Sequence, residues 1–300
     1  MQSPARPEPN TVFRSHAGPD RFSPNPDTPI VSRPIAGFPM YDFAPLQAAN
    51  DAIWHLVATR LREAGHGAVP AALDRSRTID RLWQDPGLVL AQSCGYPLMT
   101  SLLGRVRLVA TPCYRAAGCS GASWGSALVV RADEAGQDLA GFRRRRCAAN
   151  QPHSNTGMNL LRAAVAELAD GRPFFSSVTW TGSHRGSLAL VAEGAADLAA
   201  IDAVTLAHLA RIEPALVGQT RILGWTAATA GLPFIAAADT DDATIALLRR
   251  ALGEIVTDPA HRWICEALLL DRFEILQEAD YDGVMALERR ALALGYPELA

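Results

Sequence analysis

From Pro34 onward, short apolar runs alternate with stretches of helical periodicity, and this alternation restricts the chain to a small set of folds. Residues 33–41, 88–92, 105–111, 126–131, 146–150, 174–180, 197–201, 221–225, 232–237 and 272–276 read as strands. Between them, 44–64, the segment after Asn150, 183–192, 204–211, 242–256, 259–269 and 281–294 read as helices. In residues 44–64, for example, Leu46, Ile53, Trp54, Leu56, Val57 and Leu61 recur on one helical face. Such a series implies an α/β protein with parallel layers. Ligands of such sheets gather beyond the C-terminal ends of the strands. Tyr41, Tyr96, Asn150, the turn from Thr181 to His184, and Asp202 all fall at such ends.

The stretch Asn150-Gln-Pro-His-Ser-Asn-Thr-Gly-Met-Asn-Leu-Leu-Arg162 is the richest of these. Pro152 cannot lie inside a helix, whereas Ser154, Asn155 and Thr156 are suited to a cap. Gly157 admits close approach of a backbone or ligand, and Met158, Leu160, Leu161, Val165 and Leu168 supply the apolar face of the helix that follows. A strand, an acid-free polar loop and a helix start together make an anion site. Thr181-Gly182-Ser183-His184 repeats the logic, and a charged histidine in a first helical turn is unfavourable unless an anion sits beside it. Asp202 ends the apolar run Leu198-Ala-Ala-Ile201; it can cap the next helix or accept hydrogen bonds from a ligand.

Composition removes several kinds of chemistry. The chain has 300 residues, 49% hydrophobic and 20% charged, with net charge −3, so nucleic acid and anionic membrane are not expected partners. All 28 basic residues are arginine; without lysine there is neither a Walker-type phosphate lysine nor a Schiff base to pyridoxal phosphate. Five cysteines show no zinc spacing, and no cofactor is expected. The first 33 residues, rich in Pro, read as a disordered tail without the apolar segment of a secretory signal, which as the sequence stands points to the cytoplasm. Arg143-Arg-Arg-Arg146 reads as a solvated loop. Gly121-Ala-Ser-Trp-Gly125 matches the GxSxG elbow, but a Gly/Cys loop precedes Ser123 and a strand-like run follows it. A serine hydrolase acting through Ser123 therefore stands as the alternative function.

The chain resembles the phosphate/phosphonate-type substrate-binding proteins of ABC transporters. The resemblance rests on Pro39-Met-Tyr-Asp42, Gln92-Ser-Cys-Gly-Tyr96-Pro-Leu98, Gly118-Cys-Ser-Gly121, Ser126 to Arg131, Asn150 with Ser154-Asn-Thr-Gly157-Met, Gly182-Ser-His184 and Ala200-Ile-Asp202. It implies a two-lobed type II periplasmic-binding-protein-like fold with a ligand cleft between the lobes. Lobe one would be 34–125 plus 223–300, and lobe two 126–222. It further implies a binder and not an enzyme, which captures a small oxyanion of the phosphonate, phosphate or phosphite type. The ligand-binding residues would be Tyr41, Tyr96, Ser154, Asn155, Thr156, Gly157, Ser183, His184 and Asp202. The expected partners are the oxyanion and an ABC permease, the protein being a monomer; a stand-alone sensor is the other role. By the resemblance the compartment would be the periplasm, where a Cys94–Cys119 disulfide is expected.

Overall fold

The apolar runs assemble into two five-stranded sheets, and the computed structural model describes them within residues 33–300. Apart from Arg33, the tail expected at 1–33 lies outside the described residues. The strands are β1 (Ile35–Gly37), β2 (Leu88–Gln92), β3 (Val106–Tyr114), β4 (Cys119–Ser120), β5 (Ser123–Trp124), β6 (Ser126–Arg131) and β7 (Arg146–Ala149). They continue as β8 (Ser177–Trp180), β9 (Leu198–Asp202), β10 (Thr220–Trp225), β11 (Thr229–Ala230), β12 (Phe234–Ala237) and β13 (Leu270–Glu274). The helices are α1 (Gln47–Glu63), α2 (Ile79–Trp83), a single turn α3 (Gly95–Pro97), α4 (Leu160–Ala169) and α5 (His184–Ala192). Then come α6 (Ala203–Ile212), α7 (Pro214–Val217), α8 (Asp242–Thr257), α9 (Arg262–Leu268) and α10 (Asp282–Ala293). Among the described residues, no helix is long and apolar enough to cross a membrane.

The first sheet has the order β1-β2-β12-β3-β13 and the second β10-β6-β9-β7-β8. Neither is all parallel, as the alternation had implied. β12 runs against both β2 and β3, β6 runs against β9, and the edge strands β13 and β10 are antiparallel as well. The reason is local. A parallel addition needs a crossover of a dozen residues or more, usually a helix. β6 and β12 instead follow within a few residues of the segments that carry the chain from one sheet to the other, so no helix intervenes to set their direction.

Those crossing segments pair with each other. Trp124 lies opposite Thr229 and Ser123 opposite Ala230, and β4 completes a small third sheet with β5. The Gly/Cys stretch leading to Ser123, expected to be a loop, is thus a hairpin built into the crossing. Gly231 follows directly, and a Cβ there would fall 1.9 Å from the ring of Trp124, which is 1% exposed.

Helices cover both faces of each sheet. Ile53, Trp54, Val57 and Leu61 of α1 pack with Ile245, Leu248 and Leu252 of α8 on the first. Each such side chain contributes about 1.5–3 kcal/mol of burial. On the second sheet, Leu161 and Val165 of α4 pack on one face and Leu188 and Val191 of α5 on the other. Strand β10 runs on to Trp225, past the expected division at residue 223. Ala291, Tyr296 and Leu299 join the α4 side of the second core, and the Arg162 guanidinium donates to the Pro297 carbonyl at 2.8 Å. The chain's last segment therefore packs on α4 rather than on the first sheet.

Gly231→Ala is expected to lower stability by roughly 1–3 kcal/mol, because the new methyl would overpack the buried Trp124 indole. Chemical denaturation would show this as a lower midpoint at unchanged slope; an unchanged midpoint would mean that the crossing gives way freely.

Candidate functional site

A cavity of about 290 Å³ lies between the sheets, and Tyr41, Ser154, Thr156, Ser183, His184 and Asp202 all line it. Its upper wall comes from the turns after β7 and β8. Ser154 is the N-cap of a five-residue π-turn, Asn155–Asn159, that runs directly into α4. Such turns are rare and concentrate at functional sites. Any helix start leaves its first N–H groups without intrahelical partners; the Ser154 hydroxyl takes that of Gly157 at 3.0 Å. Ser183 caps α5 in the same way, accepting from Gly186 at 3.0 Å. Gly157 is demanded by close approach: a Cβ there would lie 1.8 Å from the Asn150 side-chain oxygen.

The hydroxyls are oriented by what fills their lone pairs. Ser154 Oγ accepts from Asn150 Nδ2 (3.0 Å) as well as from Gly157, which leaves its own proton to donate. His184 Nδ1 lies 3.4 Å from the Asp202 amide nitrogen, and Nε2 lies 3.1 Å from Thr156 Oγ1. Asn150 Nδ2, which has two protons, lies 3.3 Å from the same ring nitrogen and donates to Ser154 Oγ. Burial holds the His184 imidazole below its ordinary value although Asp202 pulls the other way, so the ring is neutral near pH 7. A neutral ring suits the positive end of α5.

Asp202 closes the bottom of the cavity. It is 2% exposed, and both carboxylate oxygens are occupied. Oδ1 accepts from Tyr41 Oη (3.1 Å) and the Thr205 amide (2.8 Å); Oδ2 accepts from Trp124 Nε1 (2.8 Å). Tyr41 follows β1, Trp124 lies in the crossing, and Asp202 ends β9, so one carboxylate ties both sheets to the segment between them. Burial, followed by the charge of Asp202, raises the Tyr41 phenol well above its ordinary value, which keeps it a donor.

Three of the expected residues face elsewhere. Tyr96 donates to Glu288 at 2.7 Å, beside Arg162 of α4. Asn155 donates to Thr229 of β11 (2.9 Å) and accepts from Asn159 (3.1 Å), linking the π-turn to the crossing. Gly157 is itself buried and acts through its fit to Asn150. The sequence reading missed Trp124 and Thr205 as partners of Asp202. It also missed Met40, Ile79, Trp83 and Leu232, which form the apolar wall opposite the hydroxyls. Trp124 sat in plain view inside the GxSxG match.

That match has no elbow geometry. Ser123 lies in β5, with strand β6 after it instead of a helix. The expected disulfide is absent too, for Cys94 and Cys119 are both free thiols. Cys94 is buried in the cavity wall, and burial pushes its thiol up.

The model of the periplasmic substrate-binding proteins of ABC phosphonate transporters matches residues 88–281, more than half of the chain. The chain belongs to that family. It is a binding protein and not an enzyme, with the two-lobed fold of its kind. A binding protein component of an ABC phosphonate transporter from Pseudomonas aeruginosa is similar in fold, with TM-score 0.69 and 16% identity over 88% of either chain. PhnD1 from Prochlorococcus marinus, solved with methylphosphonate, has TM-score 0.66 and 16% identity over 86% of this chain and 98% of its own. XAC2383 from Xanthomonas citri, solved with ATP, has TM-score 0.62 and 15% identity over 88% and 98%. A search of curated proteins returned no match.

Two outcomes follow from the geometry. Tyr41→Phe removes one donor from a buried carboxylate, at a cost of about 1.5–3 kcal/mol; equilibrium unfolding of the variant measures it, and a smaller loss would mean water replaces the phenol. His208 of α6, 1% exposed with Nε2 unpartnered, packs against the rings of Tyr41 and Phe43. Burial first, and then the charge of Arg211, pushes it down to about 4. Unfolded, its value is about 6.5, so between pH 6.5 and 4 only the unfolded chain takes up this proton and stability falls as pH falls. The loss approaches roughly 3 kcal/mol across that window. His208→Leu should lose correspondingly less between pH 7.5 and 4.5, and equal losses in both proteins would refute the assignment.

Proposed function

We propose that the cavity captures a small tetrahedral oxyanion of the phosphonate, phosphate or phosphite type. The protein would hand this ligand to an ABC-type permease as a monomeric binding protein, or report it as a stand-alone sensor. The observation that carries the reading is the convergence of two capped helix starts on one cavity wall. There Ser154 has both acceptor sites filled and its proton left to donate, and the Thr156 hydroxyl lines the same cavity. Helix starts and hydroxyls hold an oxyanion by dipoles and hydrogen bonds. The lining guanidinium, Arg185, is already engaged with Glu213 through two contacts of 2.6 Å. In this reading the lobes, 34–125 with the returning C-terminal part and 126–222, close on the ligand about the paired β5 and β11 strands, a hinge motion.

A thermal-shift panel of phosphate, phosphite, phosphonates, sulfate and sulfonates tests the reading. A ligand at a hundred times its Kd stabilises by about 2.7 kcal/mol. Thr156→Val keeps the shape and removes the hydroxyl between His184 and the cavity, so the best anion should bind at least tenfold more weakly, roughly 1.4 kcal/mol by calorimetric titration. Undiminished affinity in this variant would place the oxyanion elsewhere.

A further inference from the structure

The cavity has two unlike walls. The side built from the turns after β7 and β8 presents hydroxyls and a neutral imidazole, whereas Met40, Phe43, Ile79, Trp83, Pro97 and Leu232 present hydrocarbon from the other. Trp83 meets the cavity as a ring alone, because its indole nitrogen donates to the Gln92 carbonyl at 2.9 Å. We infer, building on the oxyanion reading above, that the ligand carries an uncharged apolar substituent: an alkyl or aryl group on a phosphonate or phosphate monoester, rather than an aminoalkyl group.

Size and charge both bear on this. An apolar cavity of about 150 Å³ holds benzene, so 290 Å³ has room for a tetrahedral head and a substituent of that bulk. An ammonium group would need a carboxylate, and the two that line the cavity are engaged. Asp42 is paired with Arg75 at 2.5 Å and also accepts from Asn50 at 2.9 Å. Asp202 holds Tyr41, Trp124 and the Thr205 amide, so a cation would have to displace one of them to reach it. Left against the apolar wall, an unpaired ammonium forfeits its hydration with nothing in return. A hydrocarbon substituent instead removes its own surface and that of Trp83 and Ile79 from water.

Calorimetric titration at pH 7.5 with inorganic phosphate, methylphosphonate, phenylphosphonate, phenyl phosphate and 2-aminoethylphosphonate decides it. The expected result is that the better of the two phenyl compounds binds at least tenfold more tightly than 2-aminoethylphosphonate. Which phenyl compound wins tells the phosphonate source from the ester source. Equal or tighter binding of 2-aminoethylphosphonate overturns the inference and leaves the oxyanion reading standing; no heat with any of the five overturns both. Ile79→Glu places a carboxylate in the apolar wall at the first position of α2, where a helix start tolerates an acid. It should shift the ratio of the two affinities at least tenfold toward the aminoalkyl ligand, and an unchanged ratio in the folded variant refutes the assigned wall. Met40→Glu gives the same readout should the first variant not fold.

Discussion

The carboxylate of Asp202 is the constraint on which the rest of the site depends. A buried charge stripped of its partners destabilises a protein by several kcal/mol, so its donors are held as firmly as it holds them. Here the donors come from three places: the turn after β1, the crossing strand β5 and the first turn of α6. Satisfying one side chain therefore fixes how the two sheets face each other. It also fixes His184, whose ring leans on the Asp202 backbone amide and passes the constraint on to Thr156. The packing of Tyr41 against Tyr114, and of Tyr114 against Trp124, edge to face at 5.4 and 5.5 Å, backs the two aromatic donors.

In the oxyanion reading, recognition without a free cation would follow from the same arrangement. Arginine abounds in the sequence, yet the one that lines the cavity is spent on Glu213. What remains are neutral groups, among them Ser154, whose two acceptor sites are already filled. Such donors need little reorganisation when a ligand arrives, and in a site sheltered from water they act strongly.

Much of this was legible in the chain. The strands 88–92 and 126–131 were read to the residue, and polar groups at strand ends marked the cavity because sheets of this type bind ligands there. Ser154, Thr156, Ser183, His184 and Asp202 were found by cap chemistry, which is local and so visible in sequence. The aim of Tyr96 and Asn155 was not. Both lie at the right ends of the right elements, but Tyr96 turns to Glu288 and Asn155 to Thr229, partners remote in sequence. The strand directions of β6 and β12 were hidden for a related reason: they depend on the path between sheets, and no periodicity encodes a path. Nor could spacing show that Trp124 belongs to Asp202, 78 residues away.

The packing of the last segment on α4 changes what opening the cleft can mean. Two neighbouring strands define a line, and two bodies joined only there would be free to swing and to twist about it. The tether from Pro297 to Arg162, with Tyr296 and Leu299 seated in the second core, adds an anchor provided by a different stretch of chain. A door held at a further point keeps its swing and loses much of its wobble. On the hinge reading proposed above, the open protein would then sample fewer orientations, with less configurational freedom to surrender when a ligand draws the walls together.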